Sequence, residues 1–185
     1  EYRDKKVYDG KGFKKIFEEY LKTASDKQID DITTYCENNL NSNDMIKLIE
    51  LDREIEKFNH LISKSNISSR IKSFIDLFKG KGYVASDFKK IKSKCKHDFE
   101  TNSGGYYTNK NYLNNMAFIQ IVEPVFRFYE GYLFKNHLID FNDMINKAID
   151  LVENEGIFNN FKYIFVDEYQ DISYKNFQFI KTLKQ

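Results

Sequence analysis

Residues 163–173 read Tyr-Ile-Phe-Val-Asp-Glu-Tyr-Gln-Asp-Ile-Ser, and this stretch decides the architecture that we expect. Its first four residues are β-branched or aromatic, and acidic residues follow at once, a pattern typical of a buried strand. Asp167 and Glu168 would then project from the carboxyl end of that strand, where open α/β sheets place their ligand crevice. The stretch therefore predicts a ligand-binding strand end.

Two adjacent carboxylates in this position suit a nucleotide hydrolase, in which they form the Walker B arrangement. Mg²⁺ prefers hard oxygen ligands and keeps most of its waters, so one carboxylate can hold the ion through its water shell. The neighbouring carboxylate can orient or deprotonate the attacking water. A bare Asp-Glu pair is common after strands, but the extended form through Gln170 and Asp171 is much narrower.

The extended segment resembles motif II of the UvrD/Rep family of superfamily 1 DNA helicases. Residues 139–145 (Ile-Asp-Phe-Asn-Asp-Met-Ile) resemble the helix that precedes motif II in these enzymes. Pro124 and Gly131 fall where helicase IV-like members carry a similar Pro and Gly, and the Asp-Ile-Ser ending of the motif also favours that branch. The likeness is specific over residues 112–185 and nearly absent from residues 1–111.

The resemblance implies a role for three residues of the segment. Asp167 would coordinate Mg²⁺ through water, Glu168 would be the catalytic base, and Gln170 would sense the terminal phosphate of ATP. The implied parent protein is a bacterial, cytoplasmic, ATP-dependent helicase that moves 3′ to 5′ on single-stranded DNA in repair or recombination. Its implied partners are single-stranded DNA, the junction with duplex DNA, and the remaining helicase domains of the same chain.

The expected fold class is mainly α, a multi-helix bundle with one isolated strand that would be the Walker B strand of an incomplete α/β motor domain. The resemblance assigns residues 1–136 to a helical subdomain like 1B of the family. It assigns residues 137–185 to a returning segment of the 1A ATPase domain. A single strand cannot pair with itself, so its partners are expected in other parts of the parent protein.

Apolar spacing predicts the individual helices. It indicates a helix over residues 11–23, a second from about Asp26, one long helix through residues 45–62, and another that ends at Gly80. Residues 111–135 are apolar on nearly every side and predict a buried helix.

Three residues are expected to shape helix ends and a kink. Pro124 should kink or divide the helix over residues 111–135. Asp140 and Ser173 are expected to cap the helices that follow them. Asp140 and Asp143 can also be interpreted as catalytic carboxylates, but capping explains both without chemistry, and we prefer it.

The phosphate-binding sequence Gly-x-x-x-x-Gly-Lys-[Ser/Thr] does not occur in the chain. Residues 10–15 contain glycines and lysines, but neither the required spacing nor a preceding strand. The chain is therefore interpreted as a fragment that would not hydrolyse ATP by itself.

Whole-chain charge does not indicate a nucleic-acid binder, since the chain has 29 lysines and arginines and 28 acidic residues. Between residues 79 and 96, however, seven lysines face a single acid, Asp87, which leaves a local surplus of six positive charges. Such a stripe can bind DNA phosphates or can simply be a solvated face. The lysines are Lys79, Lys81, Lys89, Lys90, Lys92, Lys94 and Lys96.

Two other interpretations remain open. The parent could be a helicase–nuclease of the AddA or RecB kind, which shares motif II, or a degenerate helicase-like protein in which this chain is an interaction module. A metal nuclease built on Asp140, Asp143, Asp167 and Glu168 is not expected. Cys36 and Cys95 are expected to be free thiols, and no apolar run has the length of a membrane span, so no membrane partner is expected.

Overall fold

Helices dominate the computed structural model, which describes residues 5–101, 109–155 and 161–183. Within these ranges the only sheet is a pair of short parallel strands. The mainly α fold class predicted from the sequence is confirmed.

The elements follow the chain in a simple order. The helices are α1 (Phe13–Thr23), α2 (Asp26–Asn38), α3 (Ser42–Ile49), α4 (Glu54–Lys64), α5 (Ile67–Gly80), α6 (Phe88–Thr101), α7 (Asn109–Lys135), α8 (Phe141–Glu155) and α9 (Tyr174–Thr182). The strands are β1 (Lys6–Tyr8) and β2 (Leu138–Asp140), and two 3₁₀ turns span Ala85–Asp87 and Tyr169–Asp171.

Residues 163–166 are not a strand, which corrects the sequence prediction. The segment lies between α8 and the second 3₁₀ turn, and its side chains alternate between exposed and half-buried, as in an extended chain. None of the described segments pairs with it. A strand needs backbone hydrogen bonds to a neighbouring strand. Residues 163–166 have the sequence pattern of a strand, but no described segment supplies those hydrogen bonds.

The chain divides into two compact units, and the division falls inside α5 and α7. The helical unit is Gly12–Ser73 with Ala85–Glu130, and the mixed unit is Glu1–Lys11, Phe74–Val84 and Gly131–Gln185. Each unit combines segments that are distant in sequence. The domain boundaries expected from the sequence, 1–136 and 137–185, are not tested by this division and stay a prediction.

The core of the helical unit is built around α7. Its aromatic rings contact three other helices at centroid distances of 5.5–5.7 Å. The pairs are Phe13–Tyr129 and Tyr20–Phe128 with α1, Tyr35–Phe118 with α2, and Phe88–Phe126 with α6. A helix that is apolar on nearly every side is therefore covered on several sides, as predicted.

Pro124 lies inside α7 without dividing it, so of the two predicted outcomes, a kink or a division, the division is excluded. The ring removes one backbone N–H, which leaves the carbonyl of Gln120, four residues earlier, without its usual donor. Gln120 is exposed, so water can satisfy this carbonyl.

The predicted long helix over residues 45–62 is two helices, α3 and α4. Asn41 caps α3 by accepting a hydrogen bond from the Asp44 N–H at 2.9 Å. Arg53 has extended backbone angles (φ −93°, ψ 130°) and starts α4. Helical spacing of apolar residues continues through the break, so periodicity alone could not reveal it.

The mixed unit contains the sheet and the acidic segment. β1 and β2 are parallel, and their register pairs Lys6 with Leu138 and Tyr8 with Asp140. Three residues per strand carry too weak a periodic signal for sequence analysis. Ile75, Phe78, Leu133, Ile139, Ile149 and Val152 are the buried apolar residues of this unit.

No described helix combines the length and the apolar character needed to cross a lipid bilayer. Cys36 and Cys95 are both free, as predicted.

Candidate functional site

The acidic segment, residues 167–171, follows the extended residues 163–166 directly. Asp167, Glu168 and Gln170 are all exposed. Residues 169–171 form the 3₁₀ turn, and Ser173 then caps α9 by accepting a hydrogen bond from the Asn176 N–H at 3.1 Å. The predicted cap is confirmed.

Glu168 has a left-handed backbone conformation, with φ 47° and ψ 46°. A residue other than glycine adopts it rarely, and such positions often occur at functional sites. The Glu168 N–H donates to Asp167 Oδ1 at 2.9 Å, and Gln170 Nε2 donates to Glu168 Oε2. The three predicted site residues therefore form one continuous local arrangement.

The donor set of this segment fits a hydrated divalent cation. Mg²⁺ takes oxygen ligands and retains several waters, so it binds to exposed carboxylates without a closed protein cage. Among the hydrogen bonds of the described residues, Asp167 uses only Oδ1 and Glu168 only Oε2, so each retains a second carboxylate oxygen. Asp167 would hold the ion through its water, and Glu168 would be the candidate to orient the attacking water.

The carboxylates of Asp140 and Asp143 lie in a different environment. Lys79 Nζ is 2.7 Å from Asp140 Oδ2 and 2.8 Å from Asp143 Oδ1, and only 3% of Lys79 is exposed. Asp140 Oδ1 also accepts a hydrogen bond from the Asp143 N–H at 2.8 Å, which confirms Asp140 as the cap of α8. We call these three residues the buried charge cluster. Its carboxylates already face a cation that belongs to the chain.

The prediction that Lys79 belongs to a DNA-binding stripe is wrong, because a buried lysine bound to two carboxylates cannot bind DNA phosphates. Sequence reasoning missed this role, although a signal was present. Lys79 follows Ile71 and Ile75 at intervals of four residues, so it lies on the buried face of α5. A lysine on a buried face requires an acidic partner.

The remaining lysines differ in their surroundings. Lys81 is exposed and belongs to the mixed unit, and the other five lie on α6 in the helical unit. Lys92 Nζ is 2.6 Å from Glu123 Oε2, and this hydrogen bond, with a second from Arg127, holds the pKa of Glu123 below its usual value. Lys90 and Lys96 pair with acids one turn away on the same segment, at 2.8 and 3.8 Å.

The exposed lysines of α6 are Lys89, Lys90, Lys94 and Lys96. Phe88, on the opposite face, is fully buried against α7. The helix therefore has one packed face and one positively charged face. Its contact with DNA stays a prediction.

The chain was compared with known proteins. The family model described as the UvrD/REP helicase N-terminal domain matches residues 4–185. Among curated proteins, the ATP-dependent DNA helicase PcrA of Bacillus subtilis is 32% identical over 93 residues, which cover 48% of this chain and 11% of PcrA. The proteins of the same name from Staphylococcus epidermidis and Staphylococcus aureus are 38% identical over 69 residues, which cover 35% of this chain and 10% of theirs.

These matches span about a tenth of the relatives' length. No solved structure gives a significant match to the chain. The finer likeness to helicase IV stays a prediction, since these three relatives carry the name PcrA. The family model covers nearly all of the chain, and the chain therefore belongs to the UvrD/REP helicase family.

Proposed function

We propose that the protein containing this chain is an ATP-dependent DNA helicase in which the acidic segment serves ATP hydrolysis. The observation that carries the proposal is the exposed arrangement of Asp167, Glu168 and Gln170, because its carboxylates face solvent whereas those of Asp140 and Asp143 are bound to Lys79. Family membership and the similarity to the ATP-dependent DNA helicase PcrA support it. Movement 3′ to 5′ on single-stranded DNA, in repair or recombination, belongs to the same proposal.

Each residue of the segment has a separate role in this mechanism. Mg²⁺, when bound with ATP, neutralises charge on the triphosphate. Asp167 holds a water of the ion, and Glu168 orients the attacking water and accepts its proton. Gln170 donates to Glu168 Oε2, so a change in its hydrogen bonding alters the orientation of the base. Gln170 is thus placed to link the state of the terminal phosphate to Glu168.

The substitution Glu168→Gln in the whole protein tests this assignment. The amide keeps the size of the side chain but cannot accept the proton, so the rate of ATP hydrolysis should fall about 10²- to 10⁴-fold. The affinity for ATP should stay near the wild-type value, because Glu168 is not a phosphate ligand in the proposal. Turnover is measured by phosphate release, and binding is measured by titration with a fluorescent ATP analogue.

Glu153→Gln is the matched control, since Glu153 is an exposed glutamate on α8. It should hydrolyse ATP at the wild-type rate. Wild-type turnover in Glu168→Gln would reject the role of the acidic segment. Equal losses in both variants would point to a general effect of removing surface charge.

The charged face of α6 is proposed to bind the DNA backbone. Replacing Lys89 and Lys94 by alanine removes two exposed charges from that face. Each lost phosphate contact should reduce the slope of log affinity against log salt by about 0.9, so the double variant should lose about 1.8 from the slope.

A double alanine variant at Lys14 and Lys15, which are exposed lysines of α1, is the control for this measurement. The salt dependence is measured by fluorescence anisotropy with a labelled junction of single-stranded and duplex DNA. An unchanged slope in the α6 variant would show that this face does not bind phosphates.

A further inference from the structure

The end of α5 makes a buried ionic contact with the start of α8. Lys79 lies in the last turn of α5, and Asp140 and Asp143 lie at the cap and in the first turn of α8. A buried lysine is stable only when its charge is compensated, and removal of one partner leaves an unpaired charge in the interior. The contact therefore fixes the start of α8 relative to the end of α5.

A second contact joins the same segment to α9. Gly82 has φ +76°, a conformation that favours glycine, and a Cβ at this position would collide with the side chain of Lys175. Lys175 lies in the first turn of α9. The backbone at Gly82 and the side chain of Lys175 are thus closely packed, and any larger residue at position 82 has to displace Lys175.

The acidic segment lies on the chain between these two contacts. It follows α8 and precedes α9, and α8 and α9 pack against each other. Residues 79–82 therefore contact the helix before the segment and the helix after it. All of these residues belong to the mixed unit.

We propose that Lys79 and Gly82 are positioning residues for Asp167 and Glu168. They touch neither ATP nor the metal ion, and they act by fixing the two helices between which the acidic segment lies in the chain. This inference rests on the proposed function, since it assigns the segment a role in hydrolysis. A displacement of a catalytic group by about 1 Å can cost about 100-fold in rate.

The test is Lys79→Met in the whole protein, with Lys135→Met as the matched control. Lys135 is an exposed lysine in the last turn of α7 and belongs to the same unit, so its replacement removes a lysine without disturbing the buried charge cluster. The rate of ATP hydrolysis is measured against ATP and Mg²⁺ concentration and expressed per ATP-binding site, counted by titration. Counting sites separates a slow enzyme from a smaller number of folded molecules.

For Lys79→Met, kcat per site should fall at least about tenfold while KM for ATP stays within about twofold, because the loss is one of transition-state geometry. The Mg²⁺ concentration for half-maximal turnover should rise, because Asp167 is displaced. Lys135→Met should match the wild type in all three quantities. Unfolding of part of the sample would not move the Mg²⁺ dependence.

A wild-type kcat per site and Mg²⁺ dependence in Lys79→Met would overturn the inference. If Glu168→Gln is inactive in the same assays, the proposed function would still stand. If Lys79→Met does not fold, Gly82→Ala decides in the same assays. A fall in kcat per site with a shifted Mg²⁺ dependence in that variant supports the inference, and wild-type values overturn it.

Discussion

Two pairs of carboxylates in the mixed unit follow extended segments of similar length, and they differ in what surrounds them. Asp140 ends β2, and Asp143 lies one turn later. Asp167 and Glu168 follow residues 163–166. The first pair is bound to Lys79 and serves the helix cap, whereas the second is exposed. Carboxylates that face a lysine of the chain have a structural role. Carboxylates that face solvent remain available to bind a ligand.

The presence of a partner strand explains much of the difference. β2 pairs with β1, and the register sets Asp140 beside Tyr8, so the position of this carboxylate is fixed by backbone hydrogen bonds. Residues 163–166 have no such partner among the described residues. Both aromatic side chains of this segment are largely exposed, Tyr163 at 79% and Phe165 at 92%. Exposed aromatic residues on an extended segment are typical of a surface that another part of a protein covers.

The largest expected effect on stability is a difference between the two pairs. Asp140→Asn keeps an oxygen for the helix cap, because asparagine is also a good N-cap, but it removes a charge that faces Lys79. The free energy of unfolding should fall by about 1–3 kcal/mol, since a buried charged group loses a partner. Asp167→Asn removes an exposed charge and should change the free energy of unfolding by less than about 0.5 kcal/mol.

Urea unfolding of the 185-residue chain, followed by circular dichroism, measures both values. Equal losses of stability in the two variants would contradict the contrast between the buried and the exposed carboxylate pair. A large loss for Asp167→Asn alone would mean that the acidic segment is structural, and the proposed role in hydrolysis would lose its main support.

Sequence analysis located most of the helices because a helix satisfies its own backbone hydrogen bonds. The predicted helix over residues 11–23 is observed as Phe13–Thr23, and the second helix begins at Asp26 as expected. Ser173 and Asp140 cap their helices by local hydrogen bonds between residues three apart, which a sequence pattern can reveal. Predictions of this kind depend on residues that are close in the chain.

Three of the errors concern features that depend on distant residues. Residues 163–166 have the composition of a strand, but pairing depends on segments elsewhere. The pair β1–β2 joins residues about 130 positions apart, and short strands give little periodic signal. Lys79 was placed among exposed lysines because its acidic partners are more than sixty positions away. The acidic segment could be predicted because its residues are contiguous in the chain. Its surroundings could not be predicted, because they depend on residues elsewhere in the chain.

The last expected effect is a pH dependence that appears only at high pH and originates beside the buried charge cluster. Burial, with further contributions from Tyr132, Asp9, Asp76 and Asp140, raises the pKa of Tyr8 from 10.0 to about 12. Between these values the unfolded chain releases the phenol proton and the folded chain retains it, so the folded state binds more protons. The free energy of unfolding should therefore fall as pH rises from 10.0 towards 12, and this phenol should contribute no such change below that interval.

Tyr8→Phe isolates this contribution because phenylalanine has no ionisable group. The variant also loses the 3.4 Å hydrogen bond from the Tyr8 hydroxyl to the carbonyl of Gly10, so a constant difference from the wild type is expected near neutral pH. Above the ordinary tyrosine pKa the wild type should lose stability faster than the variant, and the difference between the two should shrink. A difference that stays constant up to the highest pH at which the chain remains folded would contradict the burial of the Tyr8 hydroxyl in this unit, on which the prediction rests.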